Sequence, residues 1–231
     1  MSFDTDFSEQ FQDITLAENP DPRAPVAVIL DCSKSMAEVY EGQARSAMEE
    51  LNDALDVLVT ELHKDPLARR RVEVSFVLYG SHSQPATPFA TVENMVLPTL
   101  APLGLTATGE AINVALDALE ARKAEYKANG IQYYRPWVLL LSDGMATDDI
   151  TAVAQRVKQM EAEKKLAFFA VGVEGAEMEQ LSSLTTRGAL ALQGLKFREL
   201  FQWLSASQSS VSASQPGDRV GLPEVSGWAE I

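Results

Sequence analysis

The chain alternates short apolar runs with helical patterns, and this alternation constrains its fold more than any other feature. Residues 26–30 read Val-Ala-Val-Ile-Leu, an unbroken apolar run of strand length. A strand that is apolar on both faces belongs inside a sheet covered by helices on each side. Residues 72–78, 137–141 and 166–171 read as further strands, with a short edge strand expected near Phe89 to Val92 and a weak last strand at 189–193. Helical spacings lie between them. Ala44, Ala47, Met48, Leu51, Leu55, Leu58 and Leu62 recur on one face, and Asp65-Pro66 ends that helix. Ala111, Ile112, Ala115, Leu116 and Leu119 mark a second helix. Ile150, Val153, Ala154, Val157 and Met160 mark a third, which Thr147 or Asp148 would cap. Two more helices are expected at 177–184 and 196–206. Strand–helix alternation of this kind specifies an α/β fold with a doubly wound, mostly parallel sheet.

The flanks differ from this central region, residues 25–206. Residues 1–24 form an acidic, turn-rich arm with Asp4, Asp6, Glu9, Asp13 and Glu18, and Asn19-Pro20-Asp21-Pro22 breaks any regular element. Residues 207–231 form a Ser-, Gly- and Pro-rich tail whose Trp228 suggests that its end docks, on the domain itself or elsewhere. With 231 residues and 46% hydrophobic content, the chain can build one large core. Its net charge of −14 argues against nucleic acid and anionic membranes as partners, since both are held by Lys and Arg. Cys32 is the only cysteine, which excludes an internal disulfide; it reads as a small buried filler. The start Met-Ser-Phe-Asp-Thr-Asp is no signal peptide, and no run reaches a membrane span, so the chain reads as cytoplasmic.

Doubly wound sheets carry their sites beyond the carboxyl ends of the strands. Asp31 follows the first apolar run in Asp31-Cys32-Ser33-Lys34-Ser35, and Asp143 follows 137–141 in Ser142-Asp143-Gly144. Topology therefore expects these two carboxylates to converge. Thr106 arrives from the Pro-rich loop 93–105, just before a helix. Asp31, Ser33, Ser35, Thr106 and Asp143 offer only hard oxygen donors. That set suits Mg²⁺ or Mn²⁺ better than zinc, which prefers nitrogen and sulfur. An open coordination position would take an oxygen, typically a carboxylate, from a partner protein. Two other readings stay open. Ser33 and Ser35 could cap the following helix while the two aspartates satisfy loop amides. Alternatively, Asp31 could be the nucleophile of a Mg²⁺-dependent phosphoryl-transfer enzyme. Ser33 then stands where such phosphatases usually place a second Asp, and no Lys clearly follows a later strand.

These motifs, with Met36, resemble the metal-ion-dependent adhesion site of von Willebrand factor A domains, over roughly residues 25–205. The stretches 135–149 (RPWVLLLSDGMATDD), 168–176 (FFAVGVEGA) and 195–207 (LKFRELFQWLSAS) are similar to the stand-alone bacterial TerY/YegL-type group. That group is associated with tellurium-resistance and stress gene clusters, some of which also encode kinases and phosphatases. The resemblance implies six strands in the order 3-2-1-4-5-6 with one antiparallel edge. It also implies a metal-bridged protein-binding module without catalytic activity. Two positions depart from the family pattern: Lys34 replaces a small residue between the serines, and Leu105 stands where glycine is common before the threonine. Lys34 would either weaken the metal or point outward to an acidic partner.

The remaining candidates read as structural. His63 and His82 have no ligand or triad partner in the sequence, and Ser33 and Ser35 lack a nucleophile-elbow context. Gly172 and Gly175 do not form a dinucleotide fingerprint. Asp148, Asp149 and Glu110 suit helix N-termini. Tyr126, Tyr133, Tyr134 and Trp137 are expected in the core, though an exposed subset would make a partner surface.

Overall fold

A computed structural model describes residue 16 and residues 19–39, 42–225 and 227–230. Most of the expected acidic arm, 1–24, lies outside the described residues. Seven strands form one sheet: β1 (Ala24–Asp31), β2 (Val72–Tyr79), β3 (Ala90–Thr91), β4 (Trp137–Ser142), β5 (Ala167–Gly172), β6 (Ala189–Leu192) and β7 (Ala229–Glu230). Their order is β3-β2-β1-β4-β5-β6-β7. The five inner strands are parallel, and β3 and β7 close the edges antiparallel.

The helices are α1 (Ala47–Lys64), α2 (Pro66–Arg71), α3 (Thr108–Ala128), α4 (Thr151–Ala162), α5 (Met178–Ser183) and α6 (Phe197–Ala213). They cover both faces. Val26, Val28 and Leu30 of β1 pack with α1 and α6, whereas Ala27 and Ile29 pack with α3 and α4. This is the strand period of two, read out on two apolar cores. All eight residues of β1 and all eight of β2 are buried.

Local chemistry sets the helix ends. Ser46 and Glu49 form a reciprocal capping box, so α1 starts at Ala47 and Ala44 lies outside it. Asp65 closes α1 and also accepts the amides of Leu67 and Ala68, which lets Pro66 open α2. The expected cap of α4 is corrected. Asp149 accepts the Thr151 amide at 2.8 Å. Asp148 instead accepts the amides of Gly109 and Glu110, at 3.1 and 2.9 Å, and so caps α3. Sequence proximity favoured its own helix, but the loop folds back over the start of the other.

The expected strand count of six is one too few, and the helix expected at 196–206 runs on to Ala213. Both differences arise at the C-terminal segment, which packs on the domain. Trp228 packs against Trp203 in a tilted arrangement, with 5.4 Å between ring centroids. The Trp203 indole donates to Pro223 O at 2.9 Å, and the Gln193 amide donates to Trp228 O at 2.8 Å. β7 then pairs with β6. Tyr126, Tyr134 and Trp137 are core residues, as expected.

At the amino-terminal end of the sheet, Glu73 sits buried between two guanidinium groups. Arg23 Nε lies 2.9 Å from Glu73 Oε1, Arg122 Nε lies 2.8 Å from Oε2, and the Tyr126 hydroxyl donates to Oε2 at 2.6 Å. This network is far from the carboxyl-end rim that holds the conspicuous aspartates. No helix among the described residues is long and apolar enough to cross a membrane.

Candidate metal centre

β1 ends at Asp31, whose register partner on β2 is Tyr79. The Asp31 side chain has no solvent exposure. Its Oδ1 accepts the Ser33 amide at 2.8 Å. Its Oδ2 accepts the Ser142 hydroxyl at 2.8 Å and the Tyr79 hydroxyl at 3.2 Å. Three donors from three segments thus fix this carboxylate. Sequence reasoning did not single out Tyr79 or Ser142. Tyr79 could have been found as the last residue of the neighbouring strand, and Ser142 as the residue beside Asp143.

The loop after Asp31 curls so that Ser33 and Ser35 point the same way. Ser35 opens a short 3₁₀ turn, Ser35–Ala37, that has no side-chain cap, so these serines do not serve as helix caps. Ser33 Oγ and Ser35 Oγ are 3.0 Å apart, and they lie 3.2 and 3.0 Å from Asp143 Oδ1. These three oxygens make a nearly equilateral triangle. Each serine has one hydroxyl proton. Two protons serve three short oxygen–oxygen edges, so one edge always lacks a proton.

Thr106 reaches the same rim from another loop. Gly104 sits at φ +102°, and a Cβ there would collide with Ser81 Oγ. Backbone bonds stitch the loops together. The Lys34 amide donates to Gly104 O at 2.9 Å, Leu103 N–H to Cys32 O at 2.7 Å, and Thr147 N–H to Thr106 O at 2.8 Å. A Cβ built on Gly144 would stand 3.6 Å from Thr106 Oγ1, which places the threonine hydroxyl against the Asp143-Gly144 turn. The structure therefore gathers all five candidate residues at one rim, with Thr106 and Asp143 themselves buried.

Electrostatics leave this cluster unbalanced. Burial, and then the Asp143 carboxylate, push the Asp31 carboxyl up to about 6. Burial likewise raises Asp143, against the opposing hydrogen bonds of Ser35 and Ser33. Asp143 Oδ2 is buried without any hydrogen-bond partner. No Lys or Arg forms an ion pair with either aspartate among the described residues. A buried orphan carboxylate oxygen beside a second buried carboxylate calls for a cation.

The donor chemistry says which cation fits. Among the described residues no three His, Cys, Asp or Glu side chains converge on a metal position, so hydroxyls must supply part of any shell here. Mg²⁺ holds six oxygens octahedrally at about 2.0–2.1 Å, which puts neighbouring oxygens about 3 Å apart. The triangle edges of 3.0, 3.0 and 3.2 Å match one face of such a shell. Tetrahedral zinc favours nitrogen and sulfur ligands that this cluster lacks.

The neighbouring candidates fall into place around it. Cys32 is fully buried, and burial followed by the Asp31 charge pushes its thiol up to about 12, which removes it as a nucleophile. Lys34 is exposed. Glu110 lies in the first turn of α3, where its Oε2 is 3.6 Å from Nδ1 of the exposed His82.

A sequence model of the von Willebrand factor type A domain matches residues 26–223. The chain belongs to the von Willebrand factor type A family. No curated protein sequence matches it. Solved structures share the fold at low identity. Proximal thread matrix protein 1 from the mussel byssus, in a form with a zinc-occupied metal-ion-dependent adhesion motif, is 16% identical with a TM-score of 0.52, over 83% of this chain and 49% of that one. The PilB minor pilin of Streptococcus sanguinis is 12% identical with a TM-score of 0.58, over 85% and 64%. The pilus adhesin SpaC of Lactobacillus rhamnosus GG is 11% identical with a TM-score of 0.62, over 83% and 32%. This chain spans less than two thirds of the length of each of these chains.

Proposed function

We propose that this chain is a protein-binding module that captures an acidic group of a partner through Mg²⁺ or Mn²⁺ held at Asp31, Ser33, Ser35, Thr106 and Asp143. The observation that carries the reading is the oxygen triangle of Ser33, Ser35 and Asp143 beside the orphan Asp143 Oδ2. The bound cation would supply an open coordination position for a carboxylate. Asp143 and the two serine hydroxyls would face the ion directly. Asp31 already has both oxygens engaged, so it would hold the Ser33 amide and add negative charge near the ion. Thr106 would contribute a neutral oxygen, which would leave two carboxylates to balance one divalent cation.

Family membership and the zinc-occupied motif of the mussel protein support a metal-dependent interaction role. The likeness to the TerY/YegL-type group extends the proposal to tellurium or metal stress and to signalling that involves phosphorylation. The competing idea, phosphoryl transfer through Asp31, needs a carboxylate oxygen open to substrate. The full burial of Asp31 weighs against it.

Two assays separate these readings. A fluorescein-labelled acidic peptide should bind in Mg²⁺ and dissociate on addition of EDTA, and Asp143→Ala should abolish the binding. Turnover of p-nitrophenyl phosphate that is lost in Asp31→Asn would overturn the binding-module reading.

A further inference from the structure

Among the described residues six large apolar side chains are exposed, and three of them stand on the three loops of the candidate metal centre. Val39 follows the 3₁₀ turn and is 55% exposed, Leu105 precedes Thr106 and is 61% exposed, and Met145 lies two residues after Asp143 and is 62% exposed. Single exposed apolar residues need no explanation, but clustering at one rim does. The loops adjoin one another through the Lys34–Gly104 and Thr147–Thr106 backbone bonds.

The display is built rather than loose. The Leu105 amide donates to Ser81 Oγ at 3.0 Å, and Gly104 adopts the positive φ that this close approach requires. Beside Met145, the Ala146 amide donates to Gln180 Oε1 at 2.7 Å. Two apolar side chains are thus held toward water by hydrogen-bonded backbone on either side of the aspartate and threonine oxygens. Outside them the rim is acidic, with Glu38, Glu110, Glu174 and Glu177 all exposed. Within residues 32–39, 103–107, 143–149 and 173–177, Lys34 is the one basic residue.

We infer that Val39, Leu105 and Met145 form an apolar collar that selects a partner segment in which a single acidic residue is flanked by large apolar side chains. This rests on the carboxylate-capture reading above. The charge pattern argues for a single acid: an acidic run would bring its extra carboxylates against Glu38, Glu110 and Glu174, whereas apolar flanks would cover surface the chain leaves in water. Apolar contact around a desolvated polar anchor is how interfaces concentrate their affinity.

The test uses the whole chain and three labelled synthetic peptides with one central Asp, flanked by Leu, by Gly or by further Asp. Binding is read by fluorescence anisotropy in Mg²⁺, with Mg²⁺ affinity measured separately by calorimetry. The Leu-flanked peptide should bind about tenfold or more tighter than the Gly-flanked one, since partial burial of two leucines suffices for that ratio. The Asp-flanked peptide should bind weakest at low salt. Leu105→Ser and Met145→Ser should each narrow the Leu-to-Gly ratio while leaving Mg²⁺ affinity unchanged. Equal binding of the Leu- and Gly-flanked peptides, or a ratio that both variants leave intact, overturns the collar while the metal reading stands. A folded wild type that binds neither Mg²⁺ nor Mn²⁺ overturns both.

Discussion

Ser33 Oγ stands 3.0 Å from Ser35 Oγ, and both hydroxyls meet the same oxygen of Asp143, which comes from a strand more than a hundred residues away. That convergence follows from topology. β1 and β4 are neighbours and parallel, so the residues that leave their carboxyl ends share one rim. Burial disfavours the charged form of the carboxylates gathered there, and this gives the site a signature that can be measured.

The pH dependence of stability without metal should carry that signature. The folded-state pKa of Asp31 is raised from 3.8 to about 6, so the folded state binds its proton more tightly than the unfolded state. The resulting stability is fully present below pH 3.8 and is lost as pH rises through about 6. The raised Asp143 acts in the same direction. In EDTA, urea unfolding of wild type compared with Asp31→Asn should show the wild type losing on the order of 3 kcal/mol relative to the variant between about pH 4 and 7. Mg²⁺ should reverse the loss at pH 7 by binding the folded state alone.

Glu73 should matter for stability and not for metal. It is buried between Arg23 and Arg122, and removing it leaves buried Arg23 without a carboxylate partner among the described residues and Arg122 with Glu125 alone. Glu73→Ala should cost about 3–5 kcal/mol in urea unfolding. Because the network lies at the opposite end of the sheet, Mg²⁺ affinity of the folded variant should stay at the wild-type value.

Trp228 anchors the last segment of the chain. It is 4% exposed and packs, tilted, against Trp203, whose ring centroid lies 5.9 Å from that of Trp137. Trp228→Ala should lower stability by about 3 kcal/mol and red-shift the remaining tryptophan emission as Trp203 becomes wet. Unchanged stability would mean that the segment contributes nothing to the core.

The five inner strands were legible because each is a strand-length run flanked by turn residues or by helical spacing. The site residues were legible because each follows a strand or precedes a helix, where the sheet topology leaves them no other place to converge. What escaped was long-range partnership. Asp148 caps a helix forty residues earlier in the chain, and no local pattern encodes that. β7 is two residues long, too short to read as a strand, so the sequence pointed to docking through Trp228 but not to a seventh strand. Tyr79 and Ser142 hold Asp31 through side chains that resemble ordinary strand ends. The exposure of Leu105 and Met145 is not encoded in any local pattern.

The most direct test of the central claim is calorimetric titration of Mg²⁺ and Mn²⁺ into the chain, its Asp143→Asn variant and its Thr106→Ala variant. Saturable binding of one ion per chain is expected, weakened about tenfold or more by each substitution because each removes an oxygen donor or a charge from a small hard-oxygen shell. A folded wild type that binds neither ion, or binding that both substitutions leave unchanged, would contradict the assignment of this rim as the metal centre.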